Sequence, residues 1–267
     1  MVRRPTTERV TPDSWALRVT FWQSLAAYRW ASDRAAGLRA LDVGCGEGYG
    51  TAALAQRSRL VIGMDTDETT LRTARRRYPS DNLFWLRGAA DALPIRDQQV
   101  DLVCCFQVLE HLARPERFLH EVRRVLAPGG LFLLTTPHRA AVVRGLNPHH
   151  VREYDPESLL GLLRSVFDHV ELLGVFPSER VASYRAANRR TVERILRWDR
   201  LGLYRRLPDW LRDELHVWGT LAVRRWLNRR FQDLVASIGP DDFRIAHGDL
   251  AQAIDLAALV RKEPTRS

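Results

Sequence analysis

The stretch Leu41-Asp42-Val43-Gly44-Cys45-Gly46-Glu47-Gly48-Tyr49-Gly50 decides the fold of this chain. An apolar run ends here in a glycine-rich turn, and the small residues 51–55 that follow favour a helix. The pattern predicts a buried parallel strand, a tight loop and a helix N-terminus. Glycines let a ligand approach the backbone, and the free N–H groups of a helix start can donate to it. We therefore expect a ligand that contains a nucleoside.

The spacing of the glycines argues against a dinucleotide. Gly44, Gly46 and Gly48 are spaced G-x-G-x-G, whereas a dinucleotide-binding loop has the pattern G-x-G-x-x-G. On their own these glycines also fit a tight turn that binds nothing. A second apolar strand, however, ends in Asp65, 23 residues after Asp42. A carboxylate at that place can accept hydrogen bonds from both ribose hydroxyls.

Three further elements follow in order along the chain. Residues 83–88 predict a third strand, and Asp91 after it is placed to accept a hydrogen bond from an adenine amino group. Residues 100–112 predict a fourth strand that runs into a helix. A turn at 126–130 precedes the strand at 131–135. Strands that alternate with helices favour an α/β sandwich around a mainly parallel sheet.

At this point the chain resembles the class I S-adenosylmethionine (SAM) dependent methyltransferases. The matching elements are LDVGCGEGYG, VIGMD, GAADALP, DLVCCFQVLEHL and RVLAPGGLFLLTTP, in the family's order, within residues 38–137. The resemblance implies a Rossmann-like fold with a seven-stranded, mostly parallel sheet, one antiparallel strand and helices on both faces. It also implies SAM as the methyl donor and S-adenosyl-L-homocysteine as the product.

The resemblance further implies which residues contact the cofactor. The helix predicted over residues 14–36 closes over the cofactor in this family, with Tyr28 and Arg29 near the SAM carboxylate, although a packing tyrosine and a solvated arginine fit equally well. The implied cofactor residues are Tyr28, Asp42, Gly44, Cys45, Gly46, Gly48, Tyr49, Asp65, Thr66, Ala90, Asp91, Ala92, Phe106, Gln107 and His111.

Length and composition agree with a globular enzyme. The chain has 267 residues, and 45% hydrophobic content suffices for a sizeable core. Its three cysteines give neither a disulfide framework nor a metal-ligand spacing, which fits a reducing compartment. The first 15 residues lack the apolar segment of a signal peptide, and no run approaches the length of a membrane span. We expect a cytoplasmic protein.

The chain divides into four predicted segments. Residues 1–37 form an N-terminal helical cap, and residues 38–177 form the SAM-binding core. Residues 178–240 form a basic, tryptophan-rich helical insertion that serves as an acceptor lid. Residues 241–267 contain the last strand of the core, predicted at 254–261 and antiparallel, and a tail.

The insertion is unusual in composition. Residues 180–230 contain 14 arginines against five acids, and four of the eight tryptophans lie there. We interpret the apolar residues as one helical stripe. The stripe could pack on the core as a lid, rest on an anionic membrane at its inner face or hold a lipid-linked acceptor, or bind nucleic acid. Its predicted members are Leu211, Leu215, Trp218, Leu221 and Trp226.

The first candidate for the chemistry is Glu110-His111, after the fourth strand. Methyl transfer is an in-line displacement, and a neutral hydroxyl acceptor benefits from a base. In related ubiquinone-pathway O-methyltransferases, some members use two glutamates and the histidine here to hold a divalent metal. This chain has Gln107 at the first of those positions, so we expect no metal site. His111 is either catalytic or a group that orients the loop.

The second candidate follows the fifth strand. Related enzymes show an Asn-Pro-x-His-x-x-Glu pattern, which Asn147, Pro148, His150 and Glu153 match. His150 is the best candidate for a general base, because a histidine titrates near neutral pH. Glu153 either orients it or pairs with an arginine. Alternatively, the motif only shapes a loop and proximity alone drives the reaction. His138 and His149 are weaker candidates.

The acceptor is the least determined part of the sequence. The loop, the Asn-Pro-x-His-x-x-Glu pattern and the tail from 241 to 262 resemble bacterial methyltransferases of glycan or glycolipid assembly. We expect O-methylation of a sugar hydroxyl, free or lipid-linked. A phenolic, polyketide or quinone-precursor acceptor is the alternative. An RNA-binding methyltransferase or a non-catalytic SAM-binding protein belongs to another class. Nucleic acid is disfavoured, because Gln107-Val108-Leu109 replaces the Asn/Asp-Pro-Pro-Tyr/Phe motif that holds a flipped base.

Overall fold

The computed structural model describes residues 13–141, 150–198 and 209–264. Over these ranges the chain forms one eight-stranded sheet in the order β3-β2-β1-β4-β5-β8-β6-β7. Parallel pairing joins β3 through β5, and β8 is antiparallel to both of its neighbours. The strands are β1 Arg39–Val43, β2 Leu60–Asp65, β3 Leu83–Arg87, β4 Val100–Phe106, β5 Leu126–Pro137, β6 His169–Pro177, β7 Phe243–Ala246 and β8 Asp255–Arg261.

Helices cover both faces of the sheet, as the alternating side chains of the strands require. On one face, α1, α2, α3 and helices of the insertion pack on a cluster that includes Ala40 and Leu102. On the other face, α4 and α5 pack on Leu41 and Val103. The helices are α1 Arg18–Ser32, α2 Tyr49–Ala55, α3 Glu68–Arg77, α4 Pro115–Val125, α5 Pro156–Arg164, α6 Glu179–Trp198, α7 Asp209–Arg230 and α8 Gln232–Ser237.

The predicted fold class is confirmed, with one correction to the sheet. The late antiparallel strand is present as β8, which lies between β5 and β6. The expected count of seven strands with one reversed is wrong, because β7 adds an eighth strand that is antiparallel to β6. This strand has four residues at the sheet edge, where alternation is too short to stand out from a loop.

Capping chemistry sets the start of α5 as its sequence predicts. The Asp155 side chain accepts a hydrogen bond from the Ser158 backbone N–H at 2.8 Å, and Pro156 occupies the first turn. The predicted N-terminal helix is shorter than expected. A 3-10 turn over Trp15–Leu17 precedes α1, which ends at Ser32.

The insertion is helical over most of its described residues, and the predicted apolar stripe is correct only in part. Leu221 is buried against Phe21 and its neighbours, whereas Leu215, Trp218 and Trp226 are about half exposed. At 3.6 residues per turn, positions 215, 218 and 226 fall within about 80° of one another, and position 221 lies about 60° beyond position 218 toward the buried side of α7. The side chains of Trp198, Trp210 and Leu211 fall outside the described residues.

The structure also bears on membrane insertion. Within the described ranges, every helix is too short or too polar to cross a bilayer.

Candidate active site

The glycine-rich loop joins β1 to α2 at the carboxyl edge of the sheet. Gly44, Gly46 and Gly48 have φ angles of +77°, +51° and +81°, a region that disfavours other residues. A Cβ on Gly44 would lie 2.3 Å from Val108 Cγ2, and one on Gly48 would lie 2.4 Å from the Trp85 ring. A Cβ on Gly46 would meet no protein atom within 4 Å. The loop is therefore packed from behind and open at Gly46, as a ligand cradle requires.

Asp65 lies at the end of β2, beside this opening. One carboxylate oxygen accepts a hydrogen bond from the Gly46 N–H at 3.0 Å, and the other accepts from the Asp67 N–H at 2.9 Å. The structure therefore brings Asp65, the predicted acceptor of hydrogen bonds from the ribose hydroxyls, next to the middle of the glycine loop. Ligands of open α/β sheets bind at this edge, outside the carboxyl ends of the strands.

Asp42 supports the loop from inside the protein. Its carboxylate is fully buried and accepts hydrogen bonds from Thr51 Oγ1 at 2.7 Å and from the Tyr28 hydroxyl at 3.1 Å and 3.2 Å. Burial raises the pKa of Asp42 to about 7. The Tyr28 ring fills the space over Gly50, so both predicted cofactor residues lie behind the loop. Their direct contact with the cofactor stays a prediction.

Replacing Asp42 with asparagine should change how stability depends on pH. Because folding raises the pKa of Asp42 from 3.8 to about 7, protonation of this carboxyl group stabilises the folded state. This stabilisation is complete below about pH 4. It is lost as the pH rises through 7. Asparagine cannot ionise, so the melting temperature of the variant relative to the wild type should rise between pH 4 and pH 8. Differential scanning calorimetry of the SAM-free protein measures this difference.

Asp81→Asn is the control for the Asp42 experiment, because Asp81 is an exposed carboxylate in the turn before β3. Its melting temperature should follow the wild type at every pH. A difference between Asp42→Asn and wild type that stays constant with pH would show that Asp42 does not titrate in this range.

The other predicted cofactor residues lie around the loop. Cys45 and Phe106 are buried, and burial raises the pKa of the Cys45 thiol well above its usual range. The Tyr49 ring packs 5.0 Å from the Phe21 ring. Asp91 accepts a hydrogen bond from Arg114 at 2.7 Å, so an adenine amino group would share this carboxylate with a guanidinium. Thr66, Ala90 and Ala92 lie in the turns that follow β2 and β3.

The predicted catalytic residues come together from two distant segments. The N–H groups of Val151 and Arg152 donate to the Glu110 carbonyl at 2.9 Å and 3.1 Å, which ties the second segment to the first. His111 and His150 then meet edge to face, with ring centroids 5.2 Å apart. His150 Nδ1 lies 4.0 Å from Glu153 Oε1.

Glu110 is the buried member of this group. Thr136 Oγ1 donates to its carboxylate at 3.0 Å, and His111 Nε2 lies 3.9 Å from its other oxygen. Burial raises the pKa of Glu110 to about 7, while the neighbouring His111 opposes the shift. A carboxyl group with such a pKa can exchange protons near neutral pH.

Within the described chain, a metal ion could be held by three side chains of this group. One ligand atom each from Glu110, His111 and His150 lies within 4.8 Å of the others. Gln107 takes no part, because its amide donates to Thr135 Oγ1 and to Asp255. The expectation of a metal-free enzyme stays a prediction.

The remaining histidine-motif residues divide into two groups. Asn147, Pro148 and His149 lie outside the described residues. His138 is buried, with Nδ1 at 3.1 Å from the Ala253 carbonyl. Its ring therefore holds β5 against the residues before β8, which agrees with its weaker candidacy.

A second polar cluster, centred on Asp255, was missed by the sequence analysis. The side chains of Gln23 and Gln107 both donate to Asp255 Oδ2, at 2.5 Å and 3.2 Å. Burial raises the pKa of Asp255 to about 6, and the nearby Arg185 opposes the shift. The sequence contains one signal for this cluster, since an acidic residue, Asp255, begins an apolar strand. Since β8 is antiparallel, its first residue pairs with Pro137 at the carboxyl edge.

Sequence comparisons place these residues among known proteins. A family profile described as "Methyltransferase domain" matches residues 41–134. A relative from Mycolicibacterium smegmatis, described as "Probable S-adenosylmethionine-dependent methyltransferase", is 34% identical over 262 residues, covering 95% of this chain and 93% of the relative. A "Ubiquinone biosynthesis O-methyltransferase" of Azoarcus sp. is 35% identical over 107 residues, covering 39% of this chain and 46% of that protein.

Solved structures share the fold. A SAM-dependent methyltransferase of Thermotoga maritima, described as a possible histamine N-methyltransferase, superposes with a TM-score of 0.58. The superposition covers 92% of each chain at 17% identity, so it speaks for the fold alone. The similarity to the Mycolicibacterium protein is higher and covers 95% of this chain, well beyond the residues that the family profile matches.

Proposed function

Because the chain belongs to the S-adenosylmethionine-dependent methyltransferases, we propose that it methylates a hydroxyl group of a sugar, an oligosaccharide or a glycolipid. SAM is the methyl donor of this family, and S-adenosyl-L-homocysteine is the product. The loop from Gly44 to Gly48 and the Asp65 carboxylate are the residues that would hold SAM. When bound, SAM supplies a methyl group that is already activated for displacement.

The acceptor must then be placed in line with that methyl group. Two polar clusters border this edge of the sheet, one around Glu110 and one around Asp255. Between them they offer two buried carboxyl groups, the Gln107 and Gln23 amides and the His150 imidazole. Such donors and acceptors match the many hydroxyls of a sugar. This concentration of polar groups at the carboxyl edge is the observation that carries the proposal.

Oxygen as the methylated atom has further support. The Azoarcus relative is described as an O-methyltransferase, and its similarity spans 107 residues. A hydroxyl is weakly nucleophilic until its proton is removed, and we propose His150, whose Nδ1 lies 4.0 Å from Glu153 Oε1, as the base. The proton would pass to the His150 imidazole, with His111 and Glu110 adjacent to receive it.

We predict that His150→Ala lowers kcat by about 100-fold or more, the usual contribution of a general base. The affinity for SAM should remain close to that of the wild type, because the loop and Asp65, to which we assign SAM, come from other segments of the chain. A methyl-transfer assay combined with calorimetry separates the two effects. His247→Ala is the matched control, since His247 is an exposed histidine paired with Glu171 at 2.7 Å. Full turnover by His150→Ala would mean that proximity alone drives the reaction.

The acceptor class is tested by offering the full chain radiolabelled SAM with three sets of acceptors. One set holds oligosaccharides and polyprenyl-linked sugars, the second holds catechols and quinol precursors, and the third holds single-stranded RNA. The proposal expects label on a sugar hydroxyl. Label on the phenols would support the quinone or polyketide alternative, and label on RNA would support a nucleic-acid methyltransferase. SAM binding without label on any acceptor would favour a non-catalytic binding protein.

A further inference from the structure

Helix α7 carries an exposed apolar face. Leu215, Trp218 and Trp226 are 47%, 51% and 51% exposed, and Ala222 between them is exposed as well. These positions recur at intervals of three or four residues, so they form one stripe along the helix. Trp15, which is 37% exposed, lies beside the same helix, because its carbonyl accepts a hydrogen bond from Asn228. We name Leu215, Trp218, Ala222 and Trp226 the α7 stripe.

Arginines border the α7 stripe. Arg225, Arg229 and Arg230 are exposed, and the Arg230 guanidinium lies 5.5 Å from the centre of the Trp226 ring. The sequence from Leu215 to Phe231 contains four arginines and no aspartate or glutamate. Over the described residues from Trp218 to Arg230, the face is therefore apolar along its centre and positively charged at one end.

The opposite side of α7 is fastened to the core. Leu221 is buried with Phe21 and Leu17, and Asn228 is buried with its side chain bonded to Trp15 and Tyr184. Arg224 donates to Thr20 of α1 at 3.2 Å. Because these contacts use the inward side, the α7 stripe is held outward by the fold.

We propose that the α7 stripe binds the surface of an anionic lipid bilayer, with the indoles at the level of the headgroups and the arginines on the lipid phosphates. Tryptophan is enriched at membrane–water interfaces, and arginines beside an exposed apolar face can reach the phosphates of an anionic surface. Each arginine near an anionic surface adds to the affinity.

Two other occupants fit the face less well. A second copy of the chain packed with its α7 parallel would bring Arg225, Arg229 and Arg230 opposite their own counterparts, with no carboxylate between Leu215 and Phe231 to pair with them. Single-stranded nucleic acid would use the arginines and stack on the indoles, but it leaves Leu215 and Ala222 without a role. A bilayer would contact the arginines, the indoles, Leu215 and Ala222 together.

The test is sedimentation of the full chain with lipid vesicles. One set contains equal parts of phosphatidylglycerol and phosphatidylcholine, and the other contains phosphatidylcholine alone. The wild type should sediment with the anionic vesicles and remain in solution with the neutral ones. Trp218→Ser with Trp226→Ser should abolish sedimentation. Arg225→Gln with Arg229→Gln should weaken it by roughly thirtyfold, since each arginine contributes about fivefold.

Matched controls come from the opposite edge of the sheet. Phe84 on β3 is 52% exposed, and Arg72 and Arg76 are exposed on α3. Phe84→Ser and the double change of Arg72 and Arg76 to glutamine should bind the vesicles as the wild type does. The melting temperature and the SAM affinity of every variant show that the fold is intact, and both are read without any acceptor.

Three results would overturn the proposal. The first is equal vesicle binding by the tryptophan variant and the wild type. The second is a wild-type dimer that the tryptophan variant loses, without vesicle binding by either. The third is binding to single-stranded RNA that the tryptophan and arginine variants weaken, again without vesicle binding.

Discussion

Replacing Asp65 with alanine lowers the affinity for SAM by about 100-fold or more. A carboxylate at the end of the second strand can accept hydrogen bonds from both ribose hydroxyls, and each bond to a charged group is worth about 1.5–3 kcal/mol. The loss of two such bonds therefore corresponds to at least about 100-fold in the dissociation constant. Asp65 also fixes the Gly46 N–H at 3.0 Å, so its removal loosens the cradle itself. Titration calorimetry with SAM measures the change.

Two variants sharpen the Asp65 experiment. Asp65→Asn keeps the shape and one acceptor oxygen, so its affinity should lie between wild type and alanine. Asp81→Ala removes an exposed carboxylate from the turn before β3 and should bind SAM normally. Unchanged affinity in Asp65→Ala would place the ribose elsewhere and overturn the assignment of this edge.

Replacing Gly44 with alanine should impair folding, whereas replacing Gly46 with alanine should impair SAM binding. Both residues have positive φ, which costs a side chain about 1 kcal/mol. At Gly44 the new Cβ also overlaps Val108 at 2.3 Å, and overpacking adds about 1–3 kcal/mol. At Gly46 the Cβ meets no protein atom within 4 Å, so it would occupy the open space where we expect the ligand. Gly44→Ala should therefore destabilise the fold by about 3 kcal/mol, whereas Gly46→Ala should remain folded and lose SAM binding.

Chemical denaturation and SAM calorimetry on the same samples distinguish these outcomes. Adding Val108→Ala to Gly44→Ala removes the overlapping methyl group and should restore most of the lost stability, leaving the cost of positive φ. The explanation fails if Gly46→Ala binds SAM as tightly as wild type, or if Val108→Ala restores nothing.

Much of this fold could be predicted from the sequence, because its signals are local. The strand, glycine turn and helix from Leu41 to Ala55 use neighbouring residues, and Asp155 caps its own helix. The late strand β8 was recognisable from a continuous apolar run. The short strand β7 was missed because four residues at an edge carry too little alternation to be distinguished.

The site could be predicted only in part, for a related reason. Glu110 and His150 were each marked by a local motif, although only the fold shows that they meet. The cluster around Asp255 has no such motif, because Gln23, Gln107 and Arg185 come from distant segments. The orientation of α7 was likewise decided by its contacts with Phe21 and Asn228, which a helical period alone cannot supply.

The position of β8 has a consequence for the order in which the protein is built. Of the eight described strands, the last in the chain lies between β5 and β6, so these two strands cannot pair with each other in the finished sheet. Until residues 255–261 emerge, both strands present open edges that are prone to wrong pairing. Asp255 arrives with the same segment. A nascent chain therefore forms the glycine loop and Asp65 before the segment that carries Asp255, and the sheet stays open between β5 and β6 until residues 255–261 have emerged.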